Sequence, residues 1–153
     1  MQRRTFMKGT LAASGVAVAV SAGLLSPRTV LAAWPKAAFE SKSVNDALSG
    51  LGISTTATSG DISIKAPDIA ENGAVVPVTV KTSIAGATSI SILAATNGQP
   101  LAANFNLKGS AQGFVATRIK MQKTSDVIAV VKAGGKAYSA KKNVKVTIGG
   151  CGG

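Results

Sequence analysis

From residue 62 onward, apolar residues recur at every second position, the period of a strand that buries one face. Ile62 and Ile64 alternate with Ser63 and Lys65 until Pro67 stops the run. Val76, Val78 and Val80 share one face of 75–84, the strongest strand of the chain. Pro77 lies inside it without an N–H to donate, which predicts an edge position or a bulge there. Ile90 and Ile92 mark a strand over 89–94. Leu101, Ala103, Phe105 and Leu107 alternate with Ala102, Asn104 and Asn106. In 114–122, Phe114, Ala116, Arg118 and Lys120 oppose Val115, Thr117, Ile119 and Met121. The run 127–132 reads as a short buried strand, and 138–148 as a last strand in which Val144, Val146 and Ile148 alternate with Lys145 and Thr147.

Turn signals separate these runs. They are Asn72-Gly73, Asn97-Gly98-Gln99-Pro100, the glycines at 109 and 113, and Gly134-Gly135, which reads as a hairpin turn. One helix is predicted earlier, over 39–48, where Phe39, Val44, Ala47, Leu48 and Leu51 approach one face. Ser41 or Ser43 is its cap, and Gly50 and Gly52 end it. About seven short strands without a βαβ rhythm predict an all-β fold, an antiparallel immunoglobulin-like β-sandwich with a short N-terminal helix. A small barrel is the alternative.

The pattern changes at both ends. Residues 1–32 read as an export signal rather than as fold. Arg3-Arg4-Thr5-Phe6-Met7-Lys8 is a twin-arginine signature, followed by a charge-free, moderately apolar run over 10–25. That run is short for a hydrocarbon core of roughly 30 Å. Cleavage is expected after Ala32, with Ala33 nearly as good, which delivers the chain to the periplasm with no membrane attachment. The division predicted is therefore 1–32 signal, 33–60 helical lead-in, 61–148 β-sandwich and 149–153 mobile arm.

Gly149-Gly150-Cys151-Gly152-Gly153 closes the sequence and contains its one cysteine. Glycine lacks a Cβ, so the stretch reads as a mobile, thin arm that offers a thiol to a narrow site. A thiol at such a place suits covalent attachment, or else an intermolecular disulfide or other thiol-redox chemistry.

Composition narrows the chemistry further. There is no histidine, so a Ser-His or Cys-His pair within the chain is excluded. One cysteine and six scattered carboxylates argue against a metal or iron–sulfur site, and no haem motif is present. No cofactor is expected. Few aromatics argue against a nucleic-acid surface built on stacking. Net charge is +11, and loss of Arg3, Arg4, Lys8 and Arg28 with the signal lowers it to +7. That excess attracts anionic molecules and acidic partner surfaces, or simply keeps the protein soluble. Lys141, Lys142 and Lys145, just upstream of the thiol, are candidates to favour an anionic adduct if the arm folds back. The chain reads as a non-catalytic carrier, the substrate of other enzymes.

Three stretches carry a resemblance that spans nearly all of the mature chain. They are Ala66-Pro-Asp-Ile-Ala-Glu-Asn-Gly-Ala-Val-Val-Pro-Val78, Gly113-Phe-Val-Ala-Thr-Arg-Ile-Lys-Met121 and Val144-Lys-Val-Thr-Ile-Gly-Gly-Cys-Gly-Gly153. The sequence resembles the SoxY family, the sulfur-carrier subunits of the periplasmic thiosulfate-oxidising (Sox) system. The resemblance implies an immunoglobulin-like sandwich paired with a second small β protein, SoxZ. It implies that Cys151 receives thiosulfate as a cysteine S-thiosulfonate, or sulfide and other sulfur species. It further implies transient docking to three enzymes. The cytochrome SoxAX makes the conjugate, the hydrolase SoxB releases sulfate from it, and the dehydrogenase SoxCD, where present, oxidises the remaining sulfur. The 75–80 region is expected either to bury against SoxZ or to serve the chain's own core.

Overall fold

The computed structural model describes residues 34–150. The expected export signal with Arg3 and Arg4, its expected cleavage points, and Cys151, Gly152 and Gly153 lie outside the described residues.

The predicted helix forms as two. α1 spans Lys36–Glu40 and α2 spans Val44–Gly50. Each candidate cap serves a different one. Ser41 Oγ donates to the Ala37 carbonyl at 2.6 Å and closes α1. Ser43 Oγ accepts from the Asp46 N–H at 3.1 Å and opens α2, satisfying a first-turn donor that has no partner within the helix. Two competing serines three residues from each other's helix therefore break what the apolar spacing alone would join. Gly50 is the last residue of α2, where a Cβ would come within 2.7 Å of the Ala38 backbone, so α1 and α2 meet at a bare backbone. Gly52 follows at φ +73° and turns the chain out of the helix.

Nine strands follow among the described residues. β2 (Ile62–Lys65), β4 (Val76–Thr82) and β7 (Phe114–Ile119) form a three-stranded antiparallel sheet with β4 in the middle. β1 (Ala57–Thr58), β9 (Lys136–Ile148), β8 (Ser125–Ala133), β5 (Ala87–Ala94) and β6 (Leu101–Asn106) form the larger sheet in that order, and β3 (Ile69–Asn72) pairs with β9 as well. β1 and β3 both run parallel to β9. These two short parallel pairs depart from an otherwise antiparallel sandwich, and β1 falls within the stretch expected to be helical lead-in.

The inner faces of the two sheets make the main core. Val76, Val78 and Val80 of β4 are fully buried against Ile90 and Ile92 of β5 and Val127, Ala129 and Val131 of β8. Each such side chain removed from water contributes about 1.5–3 kcal/mol. The 75–80 region thus builds this chain's own core. β4 is central, yet β2 reaches only as far as Thr79, so at Pro77 the strand is paired with β7 alone. A proline is tolerated where one side of the ladder is open.

The outer face of the larger sheet is covered too. Leu93, Leu101 and Val130 pack with Ala38, Ala47 and Ile53 in a second cluster beneath the helices. β5 and β8 are therefore buried on both faces, which explains why 127–132 reads as a continuous apolar run rather than an alternating one. β6 corrects the predicted alternation. The register between β5 and β6 shifts at Ile92/Leu93, so Phe105 packs in the sandwich core while Leu101 faces the helices. One extra residue in a strand moves everything beyond it to the other face.

Candidate functional site

The site is the place where β9 runs out and the tail begins. β9 pairs with β8 from Lys136 to Val144 and then continues past it. Its last residues are held instead by β3, with Ile69 opposite Lys145 and Asn72 opposite Ile148. Thr124 adds a side-chain clip, its Oγ1 accepting from the Val146 N–H at 2.9 Å. The strand is thus extended beyond its sheet and delivers the tail to the open end of the sandwich.

There the tail enters a seat. The Asn72–Gly73 turn bridges two chain segments: the Gly73 N–H donates to the Ile148 carbonyl and the Met121 N–H donates to the Gly73 carbonyl, both at 2.7 Å. The Gly150 N–H then donates to the Met121 carbonyl at 3.0 Å. Behind the 120–122 segment, Asn97 holds the backbone twice. Its Nδ2 donates to the Lys120 carbonyl at 2.7 Å and its Oδ1 accepts from the Gln122 N–H at 2.9 Å. Gln122 Oε1 returns a contact by accepting from the Gly98 N–H at 3.0 Å.

The seat needs glycine for room. A Cβ on Gly149 would overlap the Gln122 carbonyl oxygen, and one on Gly73 would overlap the Met121 carbonyl oxygen and lie 2.8 Å from Val146 Cγ1. A Cβ on Gly150 would lie 2.9 Å from Lys120 Cγ and 3.0 Å from the Ala74 backbone. Gly150 is buried. Gly149 and Gly150, expected as the start of a mobile arm, both lie against neighbouring backbone.

Two of the three candidate lysines have carboxylate partners. Lys141 pairs with Asp126 at 3.6 Å and Lys142 with Asp68 at 3.0 Å. They stand six or more residues up the strand from Ile148, on the order of 20 Å at about 3.3 Å per residue. Lys145 is about 10 Å up the same strand, at the register position of Ile69.

The lysine that does meet the tail is Lys120, whose stem lies along Gly150. It has no carboxylate partner among the described residues. Its outward position on the 114–122 run was readable from the alternation. Its place beside the tail depends on the Gly73 bridge, which joins positions far apart in sequence. Asn97 and Gly73 were likewise read only as turn residues and Gln122 only as the end of a strand, since nothing local signals what their polar groups hold.

An open depression of about 420 Å³, lined by Gly52, Ile53, Lys132 and Tyr138 among others, lies at the opposite, hairpin end of β9. It contains no thiol or carboxylate. No helix among the described residues is long and apolar enough to cross a membrane.

Fold and site together define a small immunoglobulin-like sandwich whose last strand is prolonged to seat a glycine-flanked, thiol-bearing tail. The SoxY family, described as sulfur oxidation protein SoxY, matches residues 49–151. The chain belongs to the SoxY family. Among solved structures it is similar to the sulfur carrier protein SoxY from Chlorobium limicola f thiosulfatophilum, at 45% identity and a TM-score of 0.62, over 73% of this chain and 97% of that one. No curated protein matches.

Proposed function

We propose that this chain is a periplasmic sulfur carrier, exported by the twin-arginine route, that holds thiosulfate and related sulfur species covalently on Cys151. It presents them in turn to the enzymes of a sulfur-oxidation cycle. The observation that carries this reading is the family match, which runs through residue 151 and so includes both the seat and the one thiol.

The chemistry asks little of the carrier itself. Joining thiosulfate to the cysteine thiolate forms an S–S bond between Sγ and the outer sulfur of thiosulfate, and releases two electrons. The sequence has no haem motif to accept them, so the acceptor is a partner of the SoxAX cytochrome type. Water then attacks the sulfonate sulfur. Sulfate leaves with one proton, and the outer sulfur stays on the cysteine as a persulfide. An enzyme of the SoxB type performs that step. One of the SoxCD type oxidises the persulfide sulfur where it is present. SoxZ is the permanent second subunit. The chain acts throughout as a substrate.

Glycine is the residue such a terminus needs. A tail without side chains enters a narrow opening, while the sandwich keeps the rest of the carrier outside. Cys151→Ser is expected to abolish thiosulfate-dependent oxygen uptake in cells that carry it as their one copy, with the protein still folded and abundant. Uptake at the unsubstituted rate would overturn the carrier reading and leave Cys151 as a disulfide-forming residue.

A further inference from the structure

The outer face of the three-stranded sheet is the one large sheet face among the described residues that no other element covers. The inner face of that sheet lies in the sandwich core, and the helices cover the part of the larger sheet's outer face formed by β5, β6 and β8. Alternation fixes what the open face displays. Lys65 of β2, Lys81 of β4, Arg118 of β7 and Lys120 just beyond it all point outward and are exposed.

Register brings them together. Lys65 is opposite Thr79, Arg118 is opposite Pro77, and Lys81 is opposite Phe114. Strands are about 4.8 Å apart and alternate residues about 6.6 Å apart, so four cations share one small patch. Lys81 Nζ also lies 5.4 Å from the centroid of the half-exposed Phe114 ring. None of the outward positions on these strands is acidic. By contrast, Lys36, Lys141 and Lys142 each have a carboxylate partner. Of the carboxylates that flank β2, Asp61 sits at the end away from the tail and is engaged by Ser59 and Ser83, and Asp68 pairs with Lys142. The face ends at Lys120, and Lys120 lies against Gly150. The basic patch is therefore continuous with the point where the tail leaves the sandwich.

The geometry points to this face as the docking surface for the acidic rim of the enzyme openings that receive Cys151. The inference rests on the sulfur-carrier reading and names the surface that reading needs. A permanent subunit is the wrong occupant, because the centres of permanent interfaces are depleted in lysine. Unpaired surface charge suits a contact that must form quickly and let go, since it raises the rate of encounter more than it slows release. An acidic rim meeting this face brings the tail to the opening in the same encounter.

The test compares two forms of the carrier complex with equal net charge. One carries Lys65→Gln, Lys81→Gln and Arg118→Gln. The other carries Lys36→Gln, Lys42→Gln and Lys136→Gln, all outside the strands of the face. Each is added to periplasmic extract from cells lacking the carrier, and thiosulfate-dependent cytochrome reduction is followed against carrier concentration and ionic strength. The face variant is expected to raise the apparent KM for carrier about tenfold at low salt, to flatten its salt dependence, and to leave the maximal rate unchanged. The second variant is expected to behave like the unsubstituted carrier.

Equal effects of the two variants, or none from the first, would overturn the proposal. So would a rise in KM for thiosulfate in place of KM for carrier, which would make the face a small-anion site. Loss of the second subunit from the face variant on gel filtration would overturn it too, as the face would then be a permanent interface. Alkylation of Cys151 by iodoacetamide checks that the tail is intact in every form. A Cys151→Ser carrier that still turns over would sink the carrier reading itself, a result distinct from all of these.

Discussion

β9 begins and ends at a pair of glycines, and the two pairs are there for opposite reasons. At the hairpin, Gly134 and Gly135 have φ of 55° and 75°, and a Cβ on either would meet nothing within 4 Å. The space is open and the backbone conformation is what excludes other residues. Both central residues at positive φ make the turn whose twist matches the strands it joins. At the tail, neither Gly149 nor Gly150 has positive φ, but a Cβ on either would run into the 120–122 segment. Here the conformation is ordinary and the space is what excludes other residues. The same dipeptide therefore means a turn at one end of the strand and a close backbone contact at the other.

Substitutions can separate the two cases. The largest effect is expected at Gly73, the third member of the crowded seat. Gly73→Ala forces a methyl onto the Met121 carbonyl and Val146, costing about 2–3 kcal/mol by overpacking, read as a lower midpoint in urea. Next comes the tail itself. Gly149→Ala with Gly150→Ala is expected to expel the tail from its seat and cut thiosulfate oxidation about tenfold, equivalent to about 1.4 kcal/mol. The sandwich should melt within a few degrees of the unsubstituted protein, because the Gly150–Met121 bond lies at its margin. A normal rate would mean that the seat is dispensable.

The smallest effects belong to the hairpin. Gly135→Ala is expected to cost about 1 kcal/mol of stability through its positive φ and to leave sulfur oxidation unchanged. Gly134→Asn should be close to neutral, since asparagine tolerates that conformation. If asparagine were equally harmless at Gly150, the distinction between a conformational and a steric glycine would collapse.

The same distinction explains what could be read from the chain. Alternation at Val76, Val78 and Val80 and at Val115 and Ile119 is a local signal, and it placed the inner face of the small sheet correctly. Gly134-Gly135 is a local signal for a hairpin, and the turn is there. Ser43 was legible as a cap for the same reason, whereas the break before it was not, because Ser41 closes α1 only once α1 exists. β1 and β3 are two and four residues long and are defined by their parallel pairing to β9. Nothing within such short segments announces a partner more than 70 residues away. The shift in β6 was hidden because a bulge leaves the composition of a strand unaltered. At the tail, glycine was read as freedom of movement, and the crowding that requires it comes from Gly73, Met121 and Gln122, all distant in sequence.

The central claim is that sulfur travels on Cys151 as a covalent adduct. Its most direct test is the intact mass of the mature protein from thiosulfate-grown cells, measured without reductant and then with it. The account predicts masses raised by sulfonate- or persulfide-type groups on Cys151, which reductant returns to that of the free thiol. A single unmodified mass, or only a disulfide to another protein, would contradict it.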